Sequence, residues 1–168
     1  MLTVKKALDK SLEALTALTM GLLVIDVTWQ VITRFILNNP SSWTEELAIF
    51  LTIWVGLLGS AVALRRKAHL GIDFFVQKFP VKIRHYSEIF IYICTAAFAI
   101  AVLFLGGLRV VTLTLMQDQI TPALGIKMGY VYLALPISGF FIGLYSIEFL
   151  VASLKEFSAL RRAGSGAP

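Results

Sequence analysis

The sequence predicts an all-α membrane protein, with four transmembrane helices and a short amphipathic interfacial helix between the second and the third. Three observations predict it. Apolar residues make up 58% of the 168 residues and charged residues 15%, with a mean hydropathy of +0.81, far from the balance of a soluble domain. Four apolar stretches each reach the roughly 20 residues that a helix needs to cross a hydrocarbon core ~30 Å thick. The cations gather mostly between and beyond those stretches, as they do in the loops of membrane proteins. What remains of the chain leaves no room for a soluble catalytic domain.

Taken in order, residues 1–14 form a short N-terminal segment, and residues 15–152 form the membrane domain. Lys5 and Lys6 ahead of an apolar run imitate a signal peptide, but the run from Leu12 to Leu37 is too long for an h-region and predicts a retained first span over 15–37. Asn38-Asn39-Pro40 stops it, since two poor helix formers precede a residue that cannot continue a helix. Ser42 and Glu45 have the spacing of a capping box, and Trp43 is the amphipathic ring favoured at a membrane interface, so a second span is predicted over 46–64. Arg65-Arg66-Lys67 closes it, because cations at the bilayer centre cost about 2.5–3.5 kcal/mol each on insertion scales.

Over 69–79, Ile72, Phe75, Val76 and Phe79 recur at helical spacing while Asp73, Gln77 and Lys78 fall elsewhere on the wheel. The segment is too short to span, and its aromatic face beside Lys78, Lys82 and Arg84 suits burial at an anionic headgroup boundary. A loop packed on its own protein is the other reading. Pro80 can open the next helix, which stays apolar over 86–116 apart from Arg109 and exceeds the hydrocarbon thickness, so it must tilt or project. A polar loop, Gln117 to Lys127, leads to a fourth span over 128–150, kinked at Pro136, and residues 153–168 form a C-terminal tail.

Lysines and arginines set the orientation. Twelve of the 15 fall on the side of the termini and the 65–84 loop, against Arg34, Arg109 and Lys127 on the other. By the positive-inside rule both termini are cytoplasmic, and the loops at Trp43 and Pro122 face outward, in a cell membrane. Arg65, Arg66, Lys67, His69, Asp73, Lys78, Lys82 and Arg84 then line the cytoplasmic interface and face anionic phospholipid. The same placement accounts for the net charge of +5 without nucleic acid.

Asp26 is the most informative single residue, because an ionisable group near mid-span is rare and usually functional. Gln30 and Arg34 follow at successive i+4 steps, and Thr19 and Thr33 lie seven residues to either side, so a polar stripe runs along one face. Two readings stay open: a proton or ion relay, and a hydrogen-bonded seam against another helix. Gly139 and Gly143 form a GxxxG, and Gly56 and Gly59 begin small-xxx-small spacings with Ser60 and Ala63. Such residues let helices approach closely, although the spacing often arises by chance. His69 and His85 raise the possibility of a haem, but both lie in or beside the basic loop rather than in opposing spans. The single cysteine, Cys94, allows neither a disulfide nor a cysteine metal site. No phosphate loop, zinc spacing or nucleophile elbow is present, so no cofactor and no catalysis are expected.

The second span carries more specific residues. Arg34-Phe35 closes helix one, then come Trp43-Thr44-Glu45-Glu46-Leu47, Trp54, Gly59, the Arg65-Arg66 pair, and His69 followed by Asp73. Further on stand Thr121-Pro122-Ala123-Leu124-Gly125-Ile126, Tyr132 and Leu135-Pro136. Over roughly residues 12–152 this order resembles the small membrane subunit, DctQ type, of the tripartite ATP-independent periplasmic (TRAP) transporters, with Lys127 where that pattern has proline. The resemblance implies a bacterial inner-membrane protein that works with a large permease subunit (M type) and a periplasmic substrate-binding protein (P type). The large subunit would couple uptake of an organic acid to sodium, and the small one would widen its scaffold and help dock the binding protein.

On that expectation, Asp26, Gln30, Arg34, Gly56, Gly59, Gly139 and Gly143 form the seam against the partner subunit, and Trp43, Glu45, Glu46, Asp118 and Gln119 offer an outward docking surface. The two glutamates could equally do no more than favour the positive end of helix two. An autonomous small exporter using Asp26 as its proton carrier and a haem-bearing respiratory anchor are the rival readings.

Overall fold

The computed structural model describes residues 2–39, 41–66 and 81–164. All its regular elements among these residues are helical: α1 (Leu2–Phe35), α2 (Ser42–Arg65), α3 (Val81–Phe98), a π-helical segment (Ala99–Gly106), α4 (Gly107–Met116), α5 (Met128–Tyr132) and α6 (Ala134–Gly164). Four stretches are long and apolar enough to cross a membrane: Lys5–Phe35, Ser42–Arg65, Tyr86–Met116 and Met128–Glu156. The interfacial helix expected over 69–79 lies outside the described residues, as do Lys67, His69, Asp73 and Lys78.

Helix α1 stops where the asparagines stand. Asn38 takes a left-handed φ of 49°, which asparagine tolerates better than most residues, and the Asn39 N–H turns back to the Thr33 carbonyl at 3.0 Å. The expected capping box at the start of α2 does not form. Ser42 is already helical; the N-cap is Ser41, in extended conformation with no side-chain cap bond, and the Thr44 hydroxyl donates to the Ser41 carbonyl at 2.8 Å.

The third span is one continuous helix of three parts, and its 31 residues from Tyr86 to Met116 measure about 46 Å at ~1.5 Å per residue. The fourth is interrupted at Leu133, between α5 and α6. Pro136 lacks the N–H that would reach back to the Tyr132 carbonyl, which makes this the weak point of the helix.

The principal contacts run in a row: α1 on α2, α2 on α6, and α6 on the third span. A single core of buried residues joins the four spans through Leu12, Leu58, Ala61, Leu64, Ala99, Leu103, Ile142 and Tyr145. Much of it lies toward the end that carries both termini. The approach of α6 to the third span is close because glycines permit it. A Cβ on Gly139 would stand 2.7 Å from both the Leu103 Cβ and the Phe104 amide nitrogen, and one on Gly107 would stand 3.0 Å from the Pro136 ring.

Candidate functional site

At the end carrying the termini, charges are paired across helices. Asp9 of α1 is buried; one of its oxygens accepts the Tyr145 hydroxyl at 2.7 Å and the other meets the Arg65 Nε at 3.2 Å. Arg65 and Arg66 both reach Glu13, at 2.8 and 2.9 Å, and Lys5 pairs with Glu148 of α6. Asp9, Arg65 and Tyr145 are the shielded members, and there a hydrogen bond to a charged group contributes roughly 1.5–3 kcal/mol, whereas the pairs at Glu13–Arg66 and Lys5–Glu148 are solvent-screened. Arg65 and Arg66, expected to face lipid headgroups, are held by carboxylates of their own chain. Asp9, Glu13, Tyr145 and Glu148 escaped the sequence reading, since their partners lie 52 or more positions away.

Toward the opposite end a pocket lies between α1 and α2. Thr19, Asp26 and Thr33 are buried at seven-residue steps along the face of α1. Thr19 and Thr33 donate to carbonyls of their own helix. Asp26 differs: both its oxygens are shielded and neither has a hydrogen-bond partner among the described residues. It lies at the floor of an apolar cavity of about 460 Å³ lined also by Leu22, Ile25, Trp29, Trp43, Leu47 and Leu51. Trp29 and Trp43 also line a second cavity, of about 700 Å³, with Thr33, Leu37, Asn39, Ser41 and Ser42. One groove thus descends from the polar turn to mid-span. Of the predicted stripe, Gln30 is half-buried, whereas Arg34 turns outward and lies 5.8 Å from the Phe35 ring.

The glycines divide. Gly139 and Gly143, expected at a partner seam, are buried against the chain's own third span, where backbone and side chains already fill the space at Gly139. A Cβ on Gly56 or Gly59 would meet nothing within 4 Å, so that face of α2 is open.

The loop between the third and fourth spans is a compact unit. Ile120 and Lys127 form an antiparallel bridge, the Thr121 N–H donates to the Ile126 carbonyl at 2.9 Å, and Gly125 supplies the left-handed turn with a φ of 65°. Glu46 clasps this loop from α2: one carboxylate oxygen accepts the N–H groups of Ala123 at 3.0 Å and Leu124 at 2.7 Å. Glu46 is therefore a loop anchor, while Glu45 is exposed beside Trp43. Asp118 pairs with Lys127 at 2.7 Å, and this hydrogen bond, with the carboxylate's charge, raises the Lys127 ammonium above its ordinary pKa; Gln119 bonds to Gln117. Lys127 carries the φ of −65° that a proline at this place would impose. No group of three or more potential metal ligands occurs among the described residues.

The comparisons with known proteins agree on one family. The model for the DctQ component of tripartite ATP-independent periplasmic transporters matches residues 23–156. The chain is 32% identical to the sialic acid TRAP transporter small permease protein SiaQ of Vibrio cholerae, over 90% of this chain and 86% of that protein. It is 30% identical to the isethionate TRAP transporter permease protein DctMQ of Oleidesulfovibrio alaskensis, over 76% of this chain but 20% of that protein. It is also 34% identical to the sialic acid TRAP transporter permease protein SiaT of Haemophilus influenzae, over 64% of this chain and 17% of that protein.

Proposed function

We propose that this chain, which belongs to the DctQ component family of the tripartite ATP-independent periplasmic transporters, is a scaffold subunit that supports the large permease subunit and helps dock a periplasmic substrate-binding protein during sodium-coupled uptake of an organic acid. The family is a transporter component, not an enzyme family. The observation that carries the reading is the fused relatives. In DctMQ and SiaT the matching stretch is a small part of a much longer permease chain, so in those proteins the small and large units share one polypeptide. Sialic acid and isethionate in the relatives' names are both organic acids. Nothing in the family match favours an autonomous exporter or a haem anchor.

The subunit sits in the bacterial inner membrane with both termini cytoplasmic, following the distribution of its cations. The sequence pattern of segment 69–79, with Lys67, His69, Asp73, Lys78, Lys82 and Arg84 in and around it, suits a cytoplasmic headgroup boundary of anionic phospholipid. The seam toward the large subunit involves Asp26, Gln30, Arg34 and the open Gly56–Gly59 face. Trp43, Glu45, Asp118 and Gln119 form the periplasmic docking surface, with Glu46 fixing the loop beneath them.

Reconstituted vesicles test the function. Uptake should require this chain, the large subunit and the binding protein together, and transport by this chain alone would overturn the assignment. Glu45→Lys should raise the binding-protein concentration needed for half-maximal uptake without lowering the amount of assembled complex, since exposed charges act mainly on encounter. An unchanged concentration dependence would remove the docking role. In a Cys94→Ser background, an impermeant thiol reagent should label a cysteine at the exposed Gln119 from outside and not one at Ser165; the reverse pattern refutes the orientation.

A further inference from the structure

We infer that the groove between the outer halves of α1 and α2 seats a transmembrane helix of the large permease subunit, and that a hydrogen-bond donor on that helix meets Asp26. The inference rests on the subunit reading above and gives it a location. Its first support is the carboxylate. Asp26 is 6% exposed, and neither of its oxygens has a partner among the described residues. Buried polar groups are normally satisfied, and an ionisable one inside a membrane is held by a partner. None of the residues lining the groove is cationic, and the Trp29 and Trp43 indoles that share it make no hydrogen bond to Asp26, which leaves the carboxylate open to a donor from another molecule.

The second support is continuity. Trp29 and Trp43 line both cavities, and Ser41, whose hydroxyl is also buried without a partner, lines the upper one. Two unsatisfied polar side chains thus lie along one groove. Its rim is apolar and broadly exposed at Leu22, Ile25, Trp29 and Trp43.

These features decide between occupants. A lipid acyl chain would fill the apolar walls but carries no donor to the depth of Asp26. A second copy of this chain, packed about a two-fold axis at the groove, would set carboxylate against carboxylate, which adds like charge instead of a donor. A helix of the large subunit fits both requirements: apolar along its length, with a hydroxyl, amide or basic side chain at one level. The carboxylate oxygens are shielded in this chain alone, so binding turns the Asp26 side chain outward into the groove.

Site-directed photo-crosslinking tests this in bacterial membranes that co-express the large subunit. A photoreactive side chain in place of Ile25 or Leu47 should crosslink to the large subunit at least tenfold more than one in place of Val102, on the far side of the row of helices. Asp26→Asn, which still accepts and donates hydrogen bonds, should keep the co-purified large subunit near its normal amount. Asp26→Leu should reduce it several-fold, while the melting temperature of the small subunit alone does not fall. Crosslinks from Ile25 and Leu47 only to lipid, or only to another copy of this chain, would overturn the inference, as would a full amount of large subunit with Asp26→Leu. If the unaltered chain failed to co-purify with the large subunit, the subunit reading would fall, and this inference with it.

Discussion

Along α1, two buried aspartates have opposite surroundings. Asp9 is met by the Tyr145 hydroxyl and the Arg65 guanidinium, and Arg65 reaches on to Glu13, so three helices close on one another at the end carrying the termini. Asp26, near mid-span on the same helix, has no partner among the described residues and lies under an open apolar groove. Burial alone therefore does not tell what an intramembrane carboxylate is for. The supply of partners does: a satisfied carboxylate belongs to the fold, whereas an unsatisfied one in a sound bundle points outside it.

The largest test of this contrast is Arg65→Leu, which leaves the buried Asp9 without its cation while Glu13 keeps Arg66. A loss of about 3 kcal/mol is expected, read as a lower melting temperature of the detergent-solubilised chain. If stability did not change, the closed end would not be what holds α1 to α2. Gly139→Ala forces a Cβ against the Leu103 backbone and side chain and should cost ~1–3 kcal/mol. Gly56→Ala, on the open face, should be neutral or slightly stabilising. The same melting assay separates the two glycines.

Asp26→Leu should have the opposite sign to Arg65→Leu. Removing a buried polar group that has no partner should stabilise the isolated subunit by about 1–2 kcal/mol. A loss of stability would show that Asp26 is satisfied within its own chain. Glu46→Ala should have a smaller, local effect, on the order of 1 kcal/mol, seen as faster amide exchange at Ala123 and Leu124 with the spans unchanged.

The smallest effect concerns pH at the loop between the third and fourth spans. Asp118 raises the pKa of Lys127 above its ordinary 10.5, so the pair's contribution is complete below that value. It is lost as pH rises through the raised value. The pair is exposed, so the loss should appear only as a modest change in exchange at the loop in alkaline buffer, and Lys127→Met should remove that change.

The spans were legible in the sequence because apolar length is a one-dimensional signal. Asp26 was legible because a charge there is rare, and the break at Asn38 because that residue acts locally; the expected kink at Pro136 corresponds to an interruption three residues earlier, at Leu133. What bonds to what was not legible. Arg65 looked like a headgroup ligand because its acceptors, Asp9 and Glu13, lie in another helix far along the chain. Glu46 looked like a docking charge because the amides it caps lie 77 and 78 positions away. The glycine spacings in α2 and α6 read alike, yet one face is open and the other filled. Spacing marks a face but does not say which neighbour takes it, and the tight contact of Gly129 with Leu115 carried no such spacing at all.

The π-helical segment has a consequence for how the chain tolerates length changes. Between Ala99 and Gly106 the backbone bonds reach five residues back, as from the Gly107 N–H to the Val102 carbonyl. That stretch therefore holds more residues per turn than the α-helix on either side. In effect the third span carries a spare residue at the level where Leu103 meets Gly139. A deletion of one residue there lets the segment tighten to α-helix while the flanking parts keep their facing. The same deletion in α2 has no slack to draw on and rotates every later side chain by about 100°. Among the spans, the third is thus where loss of one residue should leave the bundle's packing in register.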